Sequence, residues 1–194
     1  VECGETYIEA GATATNGRGE NLTESIAVGG IVDVQTVGEY TLTYDVTDSL
    51  GVSAAQKQRS VNVIDTMEPE LVLLGQSTVM VECGGAYIEA GATATDICSG
   101  DLSDFVAVTG SLDTSEPGEF MLTYVVKDAS GNMAVPAVRV VIVEDKIDPY
   151  IVLNGASPIT LDCGAIYDDA GACAQDICDG DLTASIAMTG TVDT

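Results

Sequence analysis

The chain has 194 residues and a formal net charge of −25, from 31 Asp and Glu against 6 Lys and Arg, with no His. Phosphate recognition needs clustered Lys and Arg, so nucleic acid and anionic membranes are poor partners, and no run of roughly 18 apolar residues is present to insert into a bilayer. With 46% hydrophobic residues, 21 Gly and no Trp, the composition excludes a disordered acidic tail and predicts a core of small and β-branched side chains.

The sequence repeats itself. Val1-Glu2-Cys3-Gly4 returns as Val81-Glu82-Cys83-Gly84 and as Leu161-Asp162-Cys163-Gly164, and Tyr7, Tyr87 and Tyr167 keep step without a gap. The offset is the same both times, and a fixed period this long predicts a tandem array of small domains. The phase divides the chain into repeat 1 at 1–65, lacking its first strand, repeat 2 at 66–145, complete, and repeat 3 at 146–194, lacking the counterpart of Gly118–Val143. Two readings of this phase stay open: a piece of a longer chain, or a subunit whose last domain a neighbour completes.

The expected elements are short strands. In repeat 1, Tyr40, Leu42, Tyr44 and Val46 alternate with Thr41, Thr43, Asp45 and Thr47, a period of two with one buried face. Strands follow at Leu71–Leu74, Thr78–Val81, Ala90–Thr95 and Phe105–Leu112. Repeat 2 then restates the first pattern with Phe120, Leu122, Tyr124 and Val126 inward. A turn at Asp128–Asn132 leads to a last strand at Val138–Val143. Tyr124, Leu122, Val126, Leu102 and Val141 form the expected core of repeat 2. No segment sustains helical periodicity over the three turns that would identify a helix. Six or seven strands in each full repeat predict an all-β chain of tandem immunoglobulin-like β-sandwich domains, and a β-solenoid would have a far shorter period.

Four ordered motifs carry a resemblance. They are Asp-x-x-x-Pro-x-x-x-Leu-x-Gly at Asp145–Gly155, Glu-Cys-Gly-x-x-Tyr-x-x-x-Gly-Ala at Glu82–Ala92, Asp-x-Cys-x-Gly-Asp-Leu at Asp96–Leu102 and Tyr-x-Val-x-Asp-x-x-Gly-Asn at Tyr124–Asn132. Together they resemble the bacterial immunoglobulin-like repeats related to hyalin-repeat domains, which also occur in pesticidal crystal proteins. The resemblance covers the whole chain. It implies a secreted or surface-displayed β-sandwich array and implies no particular activity, because such domains decorate adhesins, fibres and enzymes alike.

The interval from Cys83 to Cys98 recurs from Cys163 to Cys178. An interval that recurs in two repeats predicts one disulfide within each, and a loop of that size would stabilise by about 3 kcal/mol through loop-closure entropy. A metal pair is the poorer alternative without His or Cys-x-x-Cys. Disulfides place the chain outside the cytoplasm, extracellular or at the cell surface. Arg18 stands where repeat 2 has Cys98, and Cys173 replaces Thr93, so Cys3 and Cys173 are left over. They are read either as free thiols or as an intermolecular cross-link between neighbouring chains.

Acidic residues gather where repeats meet. Asp96 and Asp101 share a loop with Ser99, and Asp176, Asp179 and Asp181 share the matching loop. The turn at Asp128 and the linker residues Asp65, Asp145 and Asp148 converge there in an immunoglobulin topology. Ca²⁺ takes six to eight oxygens, so Asp65, Asp96, Asp101, Asp128, Asp145, Asp148, Asp176 and Asp181 are its candidate ligands; the competing account is that these residues make turns. Asn21-Leu22-Thr23 is a glycosylation triplet that matters only in a glycosylating host. No Gly-x-Ser-x-Gly and no Walker loop occurs, and no His is available as a base, so no enzymatic activity is expected of this segment. The function expected is structural or adhesive: an extracellular fibre or surface stalk in which the chain joins other copies of itself head to tail. The alternatives are a module binding surface glycan or protein, and a spacer attached to a secreted enzyme.

Overall fold

In the computed structural model, residues 1–193 are described; Thr194, with which the expected third repeat ends, lies outside them. Val1–Val72, Ala92–Ala107 and Tyr124–Ala137 make one compact unit, and Leu73–Gly91, Val108–Thr123 and the chain from Val138 onward make a second. These units do not follow the period of the sequence, since residues of the middle repeat contribute to both.

Strands β1 (Ala27–Gly29), β2 (Gly38–Asp45) and β3 (Lys57–Val63) form an antiparallel sheet in that order, with Val28 opposite Tyr44 and Tyr40 opposite Val61. The alternation of Tyr40, Leu42 and Tyr44 turns one face of β2 inward. Leu42, Tyr44 and Val61 are buried there, with Tyr7, Ile26, Val32 and Tyr40 packed against them.

The next stretch supplies β4 (Glu70–Leu73), β5 (Thr78–Glu82), β6 (Ala92–Asp96), β7 (Gly100–Asp101), β8 (Ala107–Thr109), β9 (Gly118–Val125) and β10 (Ala137–Glu144). One sheet has the order β4-β6-β7 and another β5-β10-β9-β8, in which β5 runs parallel to β10 with Val79 opposite Val141 and Val81 opposite Val143. All five core residues expected for repeat 2 are buried: Tyr124, Leu122, Val126, Leu102 and Val141. A cluster of Ala94, Leu102, Val126 and Ala134, with Leu71 and Val106 against it, lies in the first unit. The single strand expected at Phe105–Leu112 is instead a 3-10 turn at Ser103–Phe105 followed by three residues of β8. Asp101 Oδ1 accepts from the Ser103 amide and hydroxyl, which tightens that segment into a turn. Equivalent turns occur at Thr23–Ser25 and Thr183–Ser185, and no α-helix is present among the described residues. Asn21, the acceptor of the glycosylation triplet, uses its Oδ1 to cap the Thr23 amide. Finally β11 (Tyr150–Leu153), β12 (Ala172–Asp176) and β13 (Gly180–Asp181) form an antiparallel sheet in that order.

Two charged clusters, unforeseen in the sequence, hold the strands to the loop after the Glu/Asp-Cys-Gly turn. Arg139 on β10 is almost fully buried; it pairs with Glu89 and donates to the carbonyls of Gln76, Leu74 and Gly91. One period earlier, Arg59 on β3 pairs with Glu9, donates to the Gly11 carbonyl and lies 5.3 Å from the centre of the Tyr44 ring. Glu9 also accepts from the hydroxyls of Tyr44 (2.6 Å) and Tyr7 (2.5 Å). These hydroxyl bonds, Tyr44 first and then Tyr7, with the Gly11 amide and Arg59, hold the Glu9 carboxyl down at about 2 against an ordinary value of 4.5.

A carboxyl depressed by folding stabilises fully above its unfolded value, here 4.5, and loses that contribution as the pH falls through the folded value, here about 2. Thermal melts stepped from about pH 5 to about pH 2 therefore fall steeply in the wild-type chain. The Glu9→Gln variant is less stable than wild type at neutral pH and shows a shallower acid dependence; parallel pH profiles would remove Glu9 from the account.

Candidate functional site

The functional geometry lies where one repeat hands over to the next. After Glu2 and after Glu82 the chain makes the same tight turn: the Glu5 amide bonds the Glu2 carbonyl at 3.1 Å and the Gly85 amide bonds the Glu82 carbonyl at 2.8 Å. Each turn docks on the last strand of its own repeat, the Cys3 amide donating to the Ile64 carbonyl and the Cys83 amide to the Glu144 carbonyl. Each also grips the first residue of the repeat that follows. Glu2 accepts from the amide and hydroxyl of Thr66, and Glu82 accepts from the Lys146 amide.

The loop opposite each turn is built by an aspartate. Asp96 Oδ1 accepts from the amides of Cys98 (2.8 Å) and Ser99 (2.7 Å), and Asp176 Oδ1 from those of Cys178 (2.7 Å) and Asp179 (2.9 Å). This Asx turn presents the cysteine two residues on.

The cysteines join turn to loop across the junction. Cys3 is bonded to Cys98 and Cys83 to Cys178, each over a sequence separation of 95, with Cα atoms 6.1 and 5.6 Å apart. This corrects the expectation of Cys83–Cys98 and Cys163–Cys178 bridges. Within repeat 2, Cys98 stands beside Asp65, where the chain enters, and Cys83 beside Glu144, where it leaves. The shorter interval reports the phase of the repeat, and the bonded interval is that one plus a full period. Both readings of Cys3, as a free thiol and as a cross-link to Cys173 of a neighbouring chain, are overturned, since Cys3 is buried in a disulfide. Cys173 is an exposed free thiol, and so is Cys163.

The acidic candidates separate into two sets. Asp65 and Asp96 come together beside the Cys98 sulfur, and Asp145 and Asp176 come together with Asp179; in each group the ligating atoms lie within 4.8 Å of one another. Asp179 is not in the expected ligand set. Asp101, Asp128, Asp148 and Asp181 join neither group. Asp101 and Asp181 cap the 3-10 turns through Ser103 and Thr183, bonds that hold both carboxyls below the usual carboxylate range. Asp128 closes its own loop through Gly131 and Asn132. Beside the first junction an open cleft of about 830 Å³ includes Phe105, which is 71% exposed.

The fold and these junctions define a covalently linked tandem of immunoglobulin-like β-sandwich domains. The sequence matches the family described as "Bacterial surface protein, Ig-like domain" over residues 1–63, 71–143 and 151–194, and the chain belongs to that family. It is 27% identical over 144 residues to the pesticidal crystal protein Cry22Aa of Bacillus thuringiensis, a match covering 71% of this chain and 19% of that protein. The chain thus spans about a fifth of the length of that relative. Among solved structures it is similar to the lipoprotein BT2262 of Bacteroides thetaiotaomicron, with 27% identity, a TM-score of 0.36 and coverage of 47% of this chain and 41% of that one. It is also similar to a structure of CBM51-2 in complex with GlcNAc and INT domains from Clostridium perfringens ZmpB, with 20% identity, a TM-score of 0.34 and coverage of 46% and 21%.

Proteolysis and mass mapping under non-reducing conditions will recover Cys3 linked to Cys98 and Cys83 linked to Cys178, with Cys163 and Cys173 alkylated in the folded protein. A bridge within a repeat, such as Cys83–Cys98, would overturn the assignment. Cys3→Ser together with Cys98→Ser will lower the stability of the first unit by about 4.7 kcal/mol through loop-closure entropy.

Proposed function

We propose that this chain is a structural segment of an extracellular or cell-surface stalk, in which its immunoglobulin-like domains bear tension. The repeats at 1–65, 66–145 and 146–194 are its working units, and the segment itself is not catalytic. The observation that carries this reading is the overlap of the two disulfides. Cys83 precedes Cys98, so the two bridges share the stretch between them. Tension applied at the ends passes from Cys3 through the first sulfur pair to Cys98, back along the chain to Cys83, and through the second pair to Cys178. The remaining backbone from Cys3 to Cys178 lies outside this force path.

Extended at about 3.4 Å per residue, the oxidised chain would reach roughly 110 Å, against on the order of 650 Å when reduced. Single-molecule stretching tests this. A contour length that is short in the oxidised protein and grows several-fold on reduction is expected, and equal lengths in both states would overturn the force-bearing role. The reading of the chain as a glycan-binding module gains less support. Tyr44 and Tyr124 are buried, and the aromatic side chains that are well exposed, Phe105 and Tyr150, stand in different compact units.

We further propose that Ca²⁺ stiffens the junctions through Asp65 with Asp96, and through Asp145 with Asp176 and Asp179. The second group fits a hard cation better, because it offers three carboxylates where the first offers two and a disulfide sulfur. At a hundredfold excess over its dissociation constant, Ca²⁺ adds about 2.7 kcal/mol to stability. Melting in Ca²⁺ and in EDTA checks this. Asp176→Asn with Asp179→Asn, which keeps the Asx-turn acceptor, abolishes the difference if the cation binds there. Identical melts of the wild-type chain in the two buffers would leave these residues as turn formers.

A further inference from the structure

The three Cys-Gly turns are alike in backbone and unlike in what covers them. Gly4, Gly84 and Gly164 all have positive φ, at 81°, 73° and 84°. The turn at Cys163 is already closed, the Ala165 amide bonding the Asp162 carbonyl at 3.0 Å as in the other two. At the first turn the side chain of Ile97 lies against the glycine: a Cβ added to Gly4 would come within 2.4 Å of Ile97 Cγ2. At the second, a Cβ on Gly84 would come within 2.5 Å of Ile177 Cγ2. Ile97 and Ile177 each precede the cysteine that bonds the turn. The seat is therefore a pair of contacts, an isoleucine on the glycine and a sulfur on the cysteine. At Gly164 nothing among the described residues lies within 4 Å of the corresponding position, and Cys163 is exposed where Cys3 and Cys83 are each only 2% exposed.

We propose that the Cys163–Gly164 turn is the seat for the Asp-Ile-Cys loop of a further immunoglobulin-like domain, which would bond Cys163 in the register of the two existing disulfides. The occupant is defined by its chemistry. It must bring an isoleucine to lie against the glycine, and a free cysteine next to it on an Asx turn. The Asp-Ile-Cys loops at Asp96 and Asp176 are both engaged. The corresponding loop of repeat 1 reads Asn16-Gly17-Arg18 and has neither residue. A second copy of this segment with its own disulfides formed therefore offers nothing to the seat, and the partner is a domain of the kind found at 66–145. Bond formation removes a proton from each of the two thiols and joins the sulfurs. The two electrons reduce a disulfide oxidant, one glutathione disulfide giving two glutathiones.

The test extends the chain in phase. Thr194 stands in the repeat where Thr114 stands, so appending a second copy of residues 115–194 continues the pattern, and the copies of Cys163 and Cys173 are replaced by serine. After refolding with a glutathione couple, non-reducing peptide mapping is expected to find Cys163 bonded to the copy of Cys178, with Cys3–Cys98 and Cys83–Cys178 unchanged. Cys163 left free, bonded to Cys173 or bonded to Cys163 of another molecule would overturn the proposal. Gly164→Val places a branched side chain in the seat and is expected to suppress the new bond while the two original disulfides still form. Those two disulfides report folding in the same sample, so a new bond that survives Gly164→Val counts against the seat. This readout is a bond map and not a force measurement, so it can fail while the tension-bearing reading stands, and the reverse.

Discussion

The constraint on which the structure depends is the covalent tie between the Cys-Gly turn of one repeat and the Asp-Ile-Cys loop of the next. Small domains with cores of valine, alanine and leucine bury little apolar surface, and such domains are usually reinforced. Here the reinforcement joins one sequence repeat to the next inside each compact unit, each bridge spanning a separation of 95. Such a bridge restricts the unfolded chain more than one closed within a single repeat would, by about 1.6 kcal/mol on loop-closure entropy.

The local chemistry serves that tie at several levels. The Asx turns of Asp96 and Asp176 aim Cys98 and Cys178. Positive φ at Gly4 and Gly84 lets an isoleucine approach the backbone where any Cβ would block it. Glu2 and Glu82 fasten the first residue of the following repeat. The tie also bears on charge. With a net charge of −25, carboxylates such as Asp65 and Asp96 repel one another where they come together beside Cys98.

Much of this fold was legible because alternation is a strong signal where aromatic and β-branched residues mark one face. Phe120 to Val126 and Val138 to Val143 lie where the period of two places them. The alternation weakens where residues are small. Ala94, in the strand read at Ala90–Thr95, is buried, but Ala90 is exposed and precedes β6. Phe105–Leu112 reads as a strand because its composition does, and only the Asp101 cap reveals the turn. The buried arginine was recoverable. Arg59 and Arg139 occupy the same phase of two successive repeats, and each follows its acidic partner, Glu9 or Glu89, at the same interval. An isolated cation on the apolar strand Ala137–Glu144 needs an acidic partner.

The disulfide pairing was recoverable too. A periodic chain repeats every spacing, so the recurring interval within a repeat is no stronger a signal than the recurring interval across a junction. The departure from periodicity carries the information. Arg18 replaces cysteine in the first repeat, which leaves Cys3 without a partner under pairing within repeats and gives it Cys98 under pairing between them. Overlap of the two bridges has a consequence beyond stability. A single break in the backbone anywhere between Cys3 and Cys178 leaves the two pieces joined by at least one disulfide, and a break between Cys83 and Cys98 leaves them joined by both. An array built this way keeps its covalent continuity when a loop is cut.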